Sequence, residues 1–248
     1  MNRDNVLISQ SNPRVKELAR ILKDQKRASE KYFLVEGEHL VELAKKNCAL
    51  IEVYSLKPYS FEKVTIVNDG ILSKISSTVT PQGIVGLCVK PNNILSNINS
   101  NVVFYLDGIQ DPGNVGTILR TLLAFGFLNV ILSPTCASLY NSKTLLGSQG
   151  AIFNMNVNVL SEMSLVEFAK NNGYAIITTE LDEKASSINS FQLDGKKYIF
   201  VLGSEGSGVS LIIRKQKKQA LYIPITNIES INVGVAAGIL AYHLANLK

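Results

Sequence analysis

Residues 106–127 read LDGIQDPGNVGTILRTLLAFGF, and this stretch has the residue order of a strand that turns into a helix. An apolar strand ends at Asp107-Gly108, a polar turn with proline and glycine follows, and the chain then continues with the apolar spacing of a helix. Two later stretches, 200–209 and 222–244, have the same order of strand, turn and helix. This repeated order is typical of an α/β fold.

The segments around this stretch extend the same pattern. From residue 101 onward, near-continuous apolar strands alternate with helices of about ten residues, which predicts a parallel sheet covered on both faces. Ligands bind such sheets at the carboxyl ends of the strands. The candidate site loops are therefore 107–116, 178–182, 203–209 and 226–232.

The chain before residue 93 has shorter alternating elements and predicts a small, separate α/β unit. Its first helix is expected to start at Asn12, as N-cap, and Pro13. We expect domains at 1–92 and 101–248, joined by a linker at 93–100 that is rich in asparagine and serine.

The first helix carries a basic face. This face, which we call the basic strip, is predicted to contact RNA phosphates through Arg14, Lys16, Arg20 and Lys23. A solvated helix face without a ligand is the alternative for such a run of charges.

Composition narrows the class of protein. Hydrophobic residues make up 46% and charged residues 18% of 248 residues, which excludes an intrinsically disordered chain. The net charge of +5 permits a polyanionic partner without requiring one. With neither a secretory signal nor a membrane-spanning run in the sequence, we expect a cytoplasmic protein without a membrane partner.

The sequence lacks the motifs of dinucleotide-binding proteins, of serine hydrolases and of metal sites. The segment GSEGSG (203–208) is not a dinucleotide loop, because Glu205 stands where GxGxxG requires glycine. Both histidines, His39 and His243, fall in predicted helices, which disfavours a Ser-His-Asp triad. Three dispersed cysteines without a CxxC pair predict no metal site.

Three ordered segments resemble the motifs of one family. They are LDGIQDPGNVGTILRTLLAFGF (106–127), FVLGSEGSGV (200–209) and YIPITNIESINVGVAAGILAYHL (222–244). Together they are similar to motifs one, two and three of the SpoU (TrmH-like) family of RNA 2′-O-ribose methyltransferases, within the SPOUT superfamily. FLVEGEHLVELAKK (33–46) resembles part of the substrate-binding domain that precedes the catalytic domain in many members.

The resemblance implies a C-terminal SPOUT methyltransferase domain with a parallel sheet and a trefoil knot, preceded by a small α/β substrate-binding domain. It also implies S-adenosyl-L-methionine as cofactor and a homodimer with motif residues of both subunits near the active site. The expected function is 2′-O-ribose methylation of RNA, with ribosomal RNA as substrate and no metal. A tRNA 2′-O-methyltransferase and an inactive RNA-binding relative are the alternatives.

The resemblance also assigns site residues. The family's catalytic positions match Arg120, Asn114, Glu205, Ser230 and Asn232. Residues expected to bind the cofactor are Thr178, Thr179, Leu202, Gly203, Ile223, Ile225, Ser230, Ile231 and Asn232. Gly203 would let the backbone approach this ligand closely. Arg120 is expected to orient the acceptor phosphate and the 2′-hydroxyl, since a guanidinium matches an oxyanion well and scarcely deprotonates.

Overall fold

The computed structural model describes residues 6–27, 30–92, 95 and 98–247. The chain divides into two compact units: an N-terminal unit of residues 1–92 with 140–145, and a C-terminal unit of residues 93–139 with 146–248. Of the expected linker, residues 93, 94, 96 and 97 lie outside the described residues. Leu95 and Ile98 pack into the apolar core of the C-terminal unit, so they are part of that unit.

The N-terminal unit is built on a mixed five-stranded sheet. Its strands are β1 (Val6–Leu7), β2 (Tyr32–Glu36), β3 (Leu50–Ser55), β4 (Val64–Val67) and β5 (Ile84–Val89). The order is β1-β4-β3-β5-β2, and β5 runs antiparallel to both of its neighbours. The helices are α1 (Pro13–Asp24), α2 (Glu38–Lys46) and α3 (Asp69–Ile75).

Helix α1 begins where the sequence predicts. The Asn12 side chain accepts a hydrogen bond from the backbone N–H of Arg14 at 2.8 Å, and Pro13 occupies the first helical position. The Asn12 side chain pairs one backbone N–H at the helix start, and Pro13 has no N–H that could be left unpaired. The buried face of α1 consists of Val15, Leu18 and Ile21.

The C-terminal unit is built on a seven-stranded sheet. Its strands are β6 (Val102–Asp107), β7 (Asn129–Leu132), β8 (Asn156–Val159), β9 (Tyr174–Thr179), β10 (Ser186–Ser187), β11 (Lys197–Gly203) and β12 (Gln219–Tyr222). The order is β10-β12-β9-β11-β6-β7-β8, and all six neighbouring pairs are parallel, as predicted.

Helices complete the C-terminal unit. They are α4 (Pro112–Ala124), α5 (Ser142–Ser148), which begins in the segment assigned to the N-terminal unit, α6 (Glu162–Asn172), α7 (Leu211–Arg214) and α8 (Val233–Asn246). Nowhere in the described part of the chain is a helix both long and apolar enough to cross a membrane.

Both faces of the parallel sheet are buried, which explains its apolar strands. Tyr105 of β6 and Val201 of β11 share an apolar cluster with Leu165 of α6. The residues that precede them in each strand, Phe104 and Phe200, contact each other. Side chains of a strand alternate between faces, so these two sets cover opposite sides. The adjacent strands β12, β9, β11 and β6 all run in one direction, which brings the loops at their carboxyl ends together.

Candidate functional site

Three polar side chains meet at the carboxyl edge of the parallel sheet. Asn232 donates from Nδ2 to Oε1 of Glu205 at 2.8 Å and to Oδ1 of Asn114 at 2.9 Å. Asn114 donates from its own Nδ2 to the same Glu205 oxygen at 3.2 Å. We call these three residues the amide–carboxylate cluster. Each comes from a different predicted motif, and all three were expected to belong to one site.

Two helix starts hold this cluster in place. The Asp111 side chain caps α4 by accepting from the backbone N–H of Asn114 at 2.7 Å. Oδ1 of Asn232 caps α8 by accepting from Gly234 N at 2.9 Å. The backbone N–H of Val233 donates to Oε1 of Glu205 at 3.3 Å, and a helix N-terminus favours negative charge.

One oxygen of Glu205 remains available. The three hydrogen bonds that Glu205 accepts all end on Oε1, and Oε2 has no hydrogen-bond or ion-pair partner among the described residues. A carboxylate oxygen only accepts hydrogen bonds, so Oε2 can receive a donor from a bound ligand.

The loop after β11 is closed by its own backbone. Ser204 and Gly208 exchange hydrogen bonds at 3.2 and 2.9 Å, and Gly208 has a φ of 66°. A Cβ at Gly203 would collide with the backbone of Gly208 and Val209. The close approach that requires a glycine at position 203 in this structure is between two stretches of this chain.

A cavity of about 280 Å³, the small cavity, lies at the ends of β9, β11 and β12. Seven of the nine expected cofactor residues line it: Thr179, Leu202, Gly203, Ile223, Ile225, Ser230 and Ile231. The structure thus brings most of this set around one space, with Ser230 as the only one of them also predicted to be catalytic.

Thr178 and Asn232 do not line the small cavity. Thr178 is fully buried and donates from Oγ1 to Oε1 of Glu180 at 2.7 Å. It alternates with Thr179 along β9, so the two side chains point to opposite faces. Asn232 uses its side chain for the amide–carboxylate cluster and the cap of α8.

A second space of about 740 Å³, the large cavity, adjoins the first. Residues that line both cavities are Ser204, Glu205, Gly208, Arg214 and Val233. Asp107 lines the large cavity and accepts from Ser210 N at 2.7 Å. Its burial raises the pKa of Asp107 above the usual value of aspartate. Two neighbouring cavities with a polar boundary can hold two reactants side by side.

Arg120 is not brought to this boundary. It is exposed on α4, lines neither cavity and forms no hydrogen bond or ion pair with a described residue. Thr121, the next residue, lies on the side of α4 that meets α8, where it faces Gly238. Arg120 therefore lies on the surface beside the contact between α4 and α8, which we call the α4–α8 seam.

The basic strip is partly neutralised within the N-terminal unit. Arg14 contacts Glu52 at 2.8 Å and Glu17 at 2.7 Å, and Arg20 contacts Glu30 at 2.8 Å. Burial lowers the pKa of Arg14, but its hydrogen bonds to carboxylates, Glu52 first, outweigh this and raise it.

The other two members of the basic strip, Lys16 and Lys23, are exposed. Neither has an ion-pair partner in the described ranges. The strip available to a ligand is accordingly narrower than the sequence indicates, because Glu52 and Glu30, which pair with Arg14 and Arg20, lie outside the helix.

Sequence reasoning missed an ion pair between the two cavities. Arg214 Nε lies 2.7 Å from Oε2 of Glu180, which is itself almost completely buried. The sequence gives only weak indications of this ion pair. Glu180 directly follows an apolar strand, and Arg214 belongs to a basic run of the kind expected on a solvated face. Among the described residues, no group of histidine, cysteine and acidic side chains could hold a metal ion.

Comparison with known proteins finds two matches that together cover most of the chain. Residues 101–242 match the SpoU rRNA Methylase family, and residues 12–86 match the MRM3-like substrate binding domain. The chain is 33% identical over 245 residues to the 23S rRNA (guanosine(2553)-2′-O)-methyltransferase RlmP of Bacillus subtilis, covering 95% of this chain and 97% of that protein.

Solved structures are similar over nearly the whole chain. An RNA 2′-O ribose methyltransferase superposes with a TM-score of 0.80 at 26% identity, covering 96% of this chain and 97% of the other. An AdoMet-bound rRNA methyltransferase from Sinorhizobium meliloti gives a TM-score of 0.86 at 23% identity, covering 96% of both chains. With its ordered motifs gathered at one sheet edge and its family match over more than half its length, the chain belongs to the SpoU rRNA methylase family.

Proposed function

We propose that this chain transfers a methyl group from S-adenosyl-L-methionine to a ribose 2′-hydroxyl of ribosomal RNA. The observation that carries the proposal is the amide–carboxylate cluster, which places Glu205 at the boundary of two adjoining cavities. Similarity over almost the whole chain to an enzyme named for 2′-O-methylation of 23S rRNA supports the reaction and the substrate class.

The small cavity is the proposed cofactor site. An adenine is neutral and flat, so it can bind to backbone groups at the strand ends. It can also pack against apolar side chains of this cavity, among them Ile223, Ile225 and Ile231. The carboxylate of Glu229 also lines this space and suits the positive charges of S-adenosyl-L-methionine. When bound, the cofactor supplies an electrophilic methyl group, and no metal is needed.

The large cavity is the proposed acceptor site. Glu205 uses Oε1 within the amide–carboxylate cluster, so Oε2 is the group that accepts a hydrogen bond from the ribose hydroxyl. Ser230 stands on the cofactor side of this boundary. In this account the chain acts mainly by positioning, because alignment of the hydroxyl oxygen with the methyl carbon supplies much of the rate.

A second copy of the chain completes the proposed site with Arg120. On α8, the apolar side chains Val235, Ile239 and Tyr242 are 54%, 37% and 61% exposed at helical spacing, and Tyr242 touches Phe125 at the end of α4. A contiguous apolar stripe of this kind favours a protein interface. Arg120, exposed beside the α4–α8 seam, would reach the acceptor phosphate bound by the partner subunit.

We also propose that the C-terminal segment is knotted, as the family resemblance implies. The segment from Ile223 to Ile231 runs past the loop that follows β11, and both line the small cavity. This proximity is what a trefoil knot requires, since the final segment passes through such a loop.

The N-terminal unit, residues 1–92, is the proposed RNA-binding domain, and its match to a substrate-binding domain supports this role. Lys16 and Lys23 are the members of the basic strip with free charges, and phosphate contacts through them should weaken with salt. We place the reaction in the cytoplasm, where ribosomal RNA is accessible.

Methyl transfer to separated RNA classes tests the substrate. RNA from a strain that lacks this gene should accept labelled methyl groups in the ribosomal fraction, and not in the tRNA fraction. Label confined to tRNA would overturn the ribosomal assignment. Binding of RNA and cofactor without transfer to any RNA would identify an inactive RNA-binding relative.

A further inference from the structure

The two cavities contain one basic side chain among many acidic ones. Among the described residues that line either space, Arg214 is the only lysine or arginine, and it lines both. The acidic lining residues are Asp107, Asp111, Glu162, Glu180, Glu205 and Glu229. Arg214 is therefore the one described side chain of these linings whose positive charge can bind an anionic group of a bound reactant.

Glu180 fixes the orientation of this arginine. Its Oε2 lies 2.7 Å from Arg214 Nε, and its side chain is only 8% exposed. Its other oxygen accepts hydrogen bonds from Thr178 Oγ1 and Lys217 Nζ, both at 2.7 Å. With three groups around it, the Glu180 carboxylate is a rigid anchor for the Nε edge of the guanidinium.

A terminal nitrogen of the guanidinium lies at the boundary of the two cavities. A Cβ built on Gly208, which lines both cavities, would stand 2.8 Å from Arg214 Nη2. The terminal nitrogens have no hydrogen bond or ion pair with any described residue. Arg214 therefore keeps N–H donors for a ligand at this boundary, and a guanidinium binds an oxyanion well.

The cofactor carries such an anion. S-adenosyl-L-methionine has one α-carboxylate, separated from its sulfur by three carbon atoms. Its methyl group must reach the boundary to meet an acceptor, which places that carboxylate near the boundary as well. Glu180 lines the small cavity and not the large one, so Arg214 is anchored from the cofactor side.

We propose that Arg214, oriented by Glu180, binds the α-carboxylate of S-adenosyl-L-methionine. This inference rests on the proposed function, in that the small cavity is taken as the cofactor site. It gives the amino-acid end of the cofactor a partner, and it explains a buried glutamate that the family motifs do not include.

Two ligands, used as probes, distinguish binding of the α-carboxylate by Arg214 from a purely structural role of this residue. S-adenosylhomocysteine has the carboxylate, and 5′-methylthioadenosine has the same nucleoside and sulfur without the amino acid. By calorimetry on the full chain, Arg214→Ala should bind the first about 10- to 100-fold more weakly, which is the range for a charged hydrogen-bonded pair. Its affinity for 5′-methylthioadenosine should stay within about twofold of wild type, because that probe has no group for Arg214 to bind.

Lys215→Ala is the matched control. Lys215 follows Arg214 directly, is exposed and lines neither cavity. This variant should bind both probes as the wild type does. Equal weakening of both probes in Arg214→Ala would overturn the proposal and leave Arg214 as a structural support. Unchanged binding of both, with a raised KM for RNA, would overturn it in favour of a phosphate contact.

A third variant separates failure of this inference from failure of the cofactor site itself. Ala236→Phe fills the small cavity from α8 and should abolish binding of both probes. If it leaves 5′-methylthioadenosine binding intact, the small cavity is not the cofactor site. If it abolishes binding while Arg214→Ala leaves both affinities intact, only the role of Arg214 is wrong.

Discussion

Asn232 donates a hydrogen bond to Glu205 at 2.8 Å while the opposite end of its amide caps α8. One side chain thus joins the start of the final helix to the carboxylate at the boundary of the two cavities. Helix stability and the geometry of the proposed site depend on the same residue.

Replacement of Asn232 should therefore affect both properties. Asn232→Ala removes an N-cap, which costs about 1 kcal/mol of unfolding free energy, and frees Glu205 from its strongest contact. We expect single-turnover methyl transfer to fall about 10²-fold, as when a preorganised donor is removed. Asn68→Ala is the control, since Asn68 caps α3 in the N-terminal unit by accepting from the backbone N–H of Ile71. It should lose similar stability with normal transfer; equal rates for the two variants would refute the role of Asn232.

Arg120 should matter for transfer and not for the cofactor. Arg120→Ala should leave S-adenosyl-L-methionine affinity nearly unchanged while methyl transfer falls by about 10²–10⁴, equivalent to ~3–5.5 kcal/mol. Arg120→Lys should remain impaired, because lysine lacks the planar fork. Near-normal transfer by folded Arg120→Ala with saturating RNA would contradict the assignment.

Mixing two inactive variants tests whether Arg120 acts on the partner subunit. Arg120→Ala and Glu205→Ala chains, each inactive, should regain about a quarter of wild-type activity when unfolded and refolded together, since about half of the dimers then contain one intact site of two. If Arg120 acts within its own chain, every site contains a defect and the mixture stays inactive.

The apolar stripe on α8 should control the oligomeric state. Tyr242→Glu places a charge on the proposed interface, so light scattering should show the monomer mass where the wild type shows twice that mass. Met163→Glu is the matched control, because Met163 is 66% exposed on α6, outside the stripe. A wild type that remains monomeric at micromolar concentration would contradict the dimer.

Glu36 should make the N-terminal unit sensitive to acid. Burial raises the pKa of this carboxyl, but hydrogen bonds from Ser76, Thr78 and the backbone of Gln82 outweigh burial and lower it. A folded-state pKa below the unfolded value stabilises the fold above the unfolded pKa, and this contribution is lost as pH falls through the folded pKa. Unfolding free energy measured by hydrogen exchange in this unit should therefore decrease below about pH 4.3.

Glu36→Gln should remove that pH dependence. An amide cannot accept the same set of donors, so stability at neutral pH should fall by about 2 kcal/mol. Glu42→Gln, at an exposed position of α2, is the control and should leave both the stability and its pH profile unchanged. A Glu36→Gln profile parallel to that of the wild type would show that another group titrates.

The features predicted correctly from sequence depend on short-range patterns. Asn12 and Pro13 mark the start of α1, and apolar strands separated by helices predict the parallel sheet. Parallel geometry then brings strand ends together, so Asn114, Glu205 and Asn232 could be expected to meet before any distance was known.

The remaining features depend on contacts between distant residues. Arg14 is occupied by Glu52, 38 positions away, which helical periodicity alone cannot indicate. Thr178 and Thr179 look equivalent in sequence, but strand alternation sends only Thr179 toward the small cavity. Arg214 belongs to a run that resembles a solvated basic face, and only its approach to Glu180 distinguishes it.

The position of the transferred methyl group distinguishes methylation of a ribose from methylation of a base. Ribosomal RNA from a strain without this gene is methylated by the purified chain with labelled S-adenosyl-L-methionine, digested, and analysed by mass spectrometry. We expect label on a ribose at one position, recovered in an alkali-resistant dinucleotide and absent with Arg120→Ala. Label on a base, released by alkali in a mononucleotide, would contradict ribose methylation.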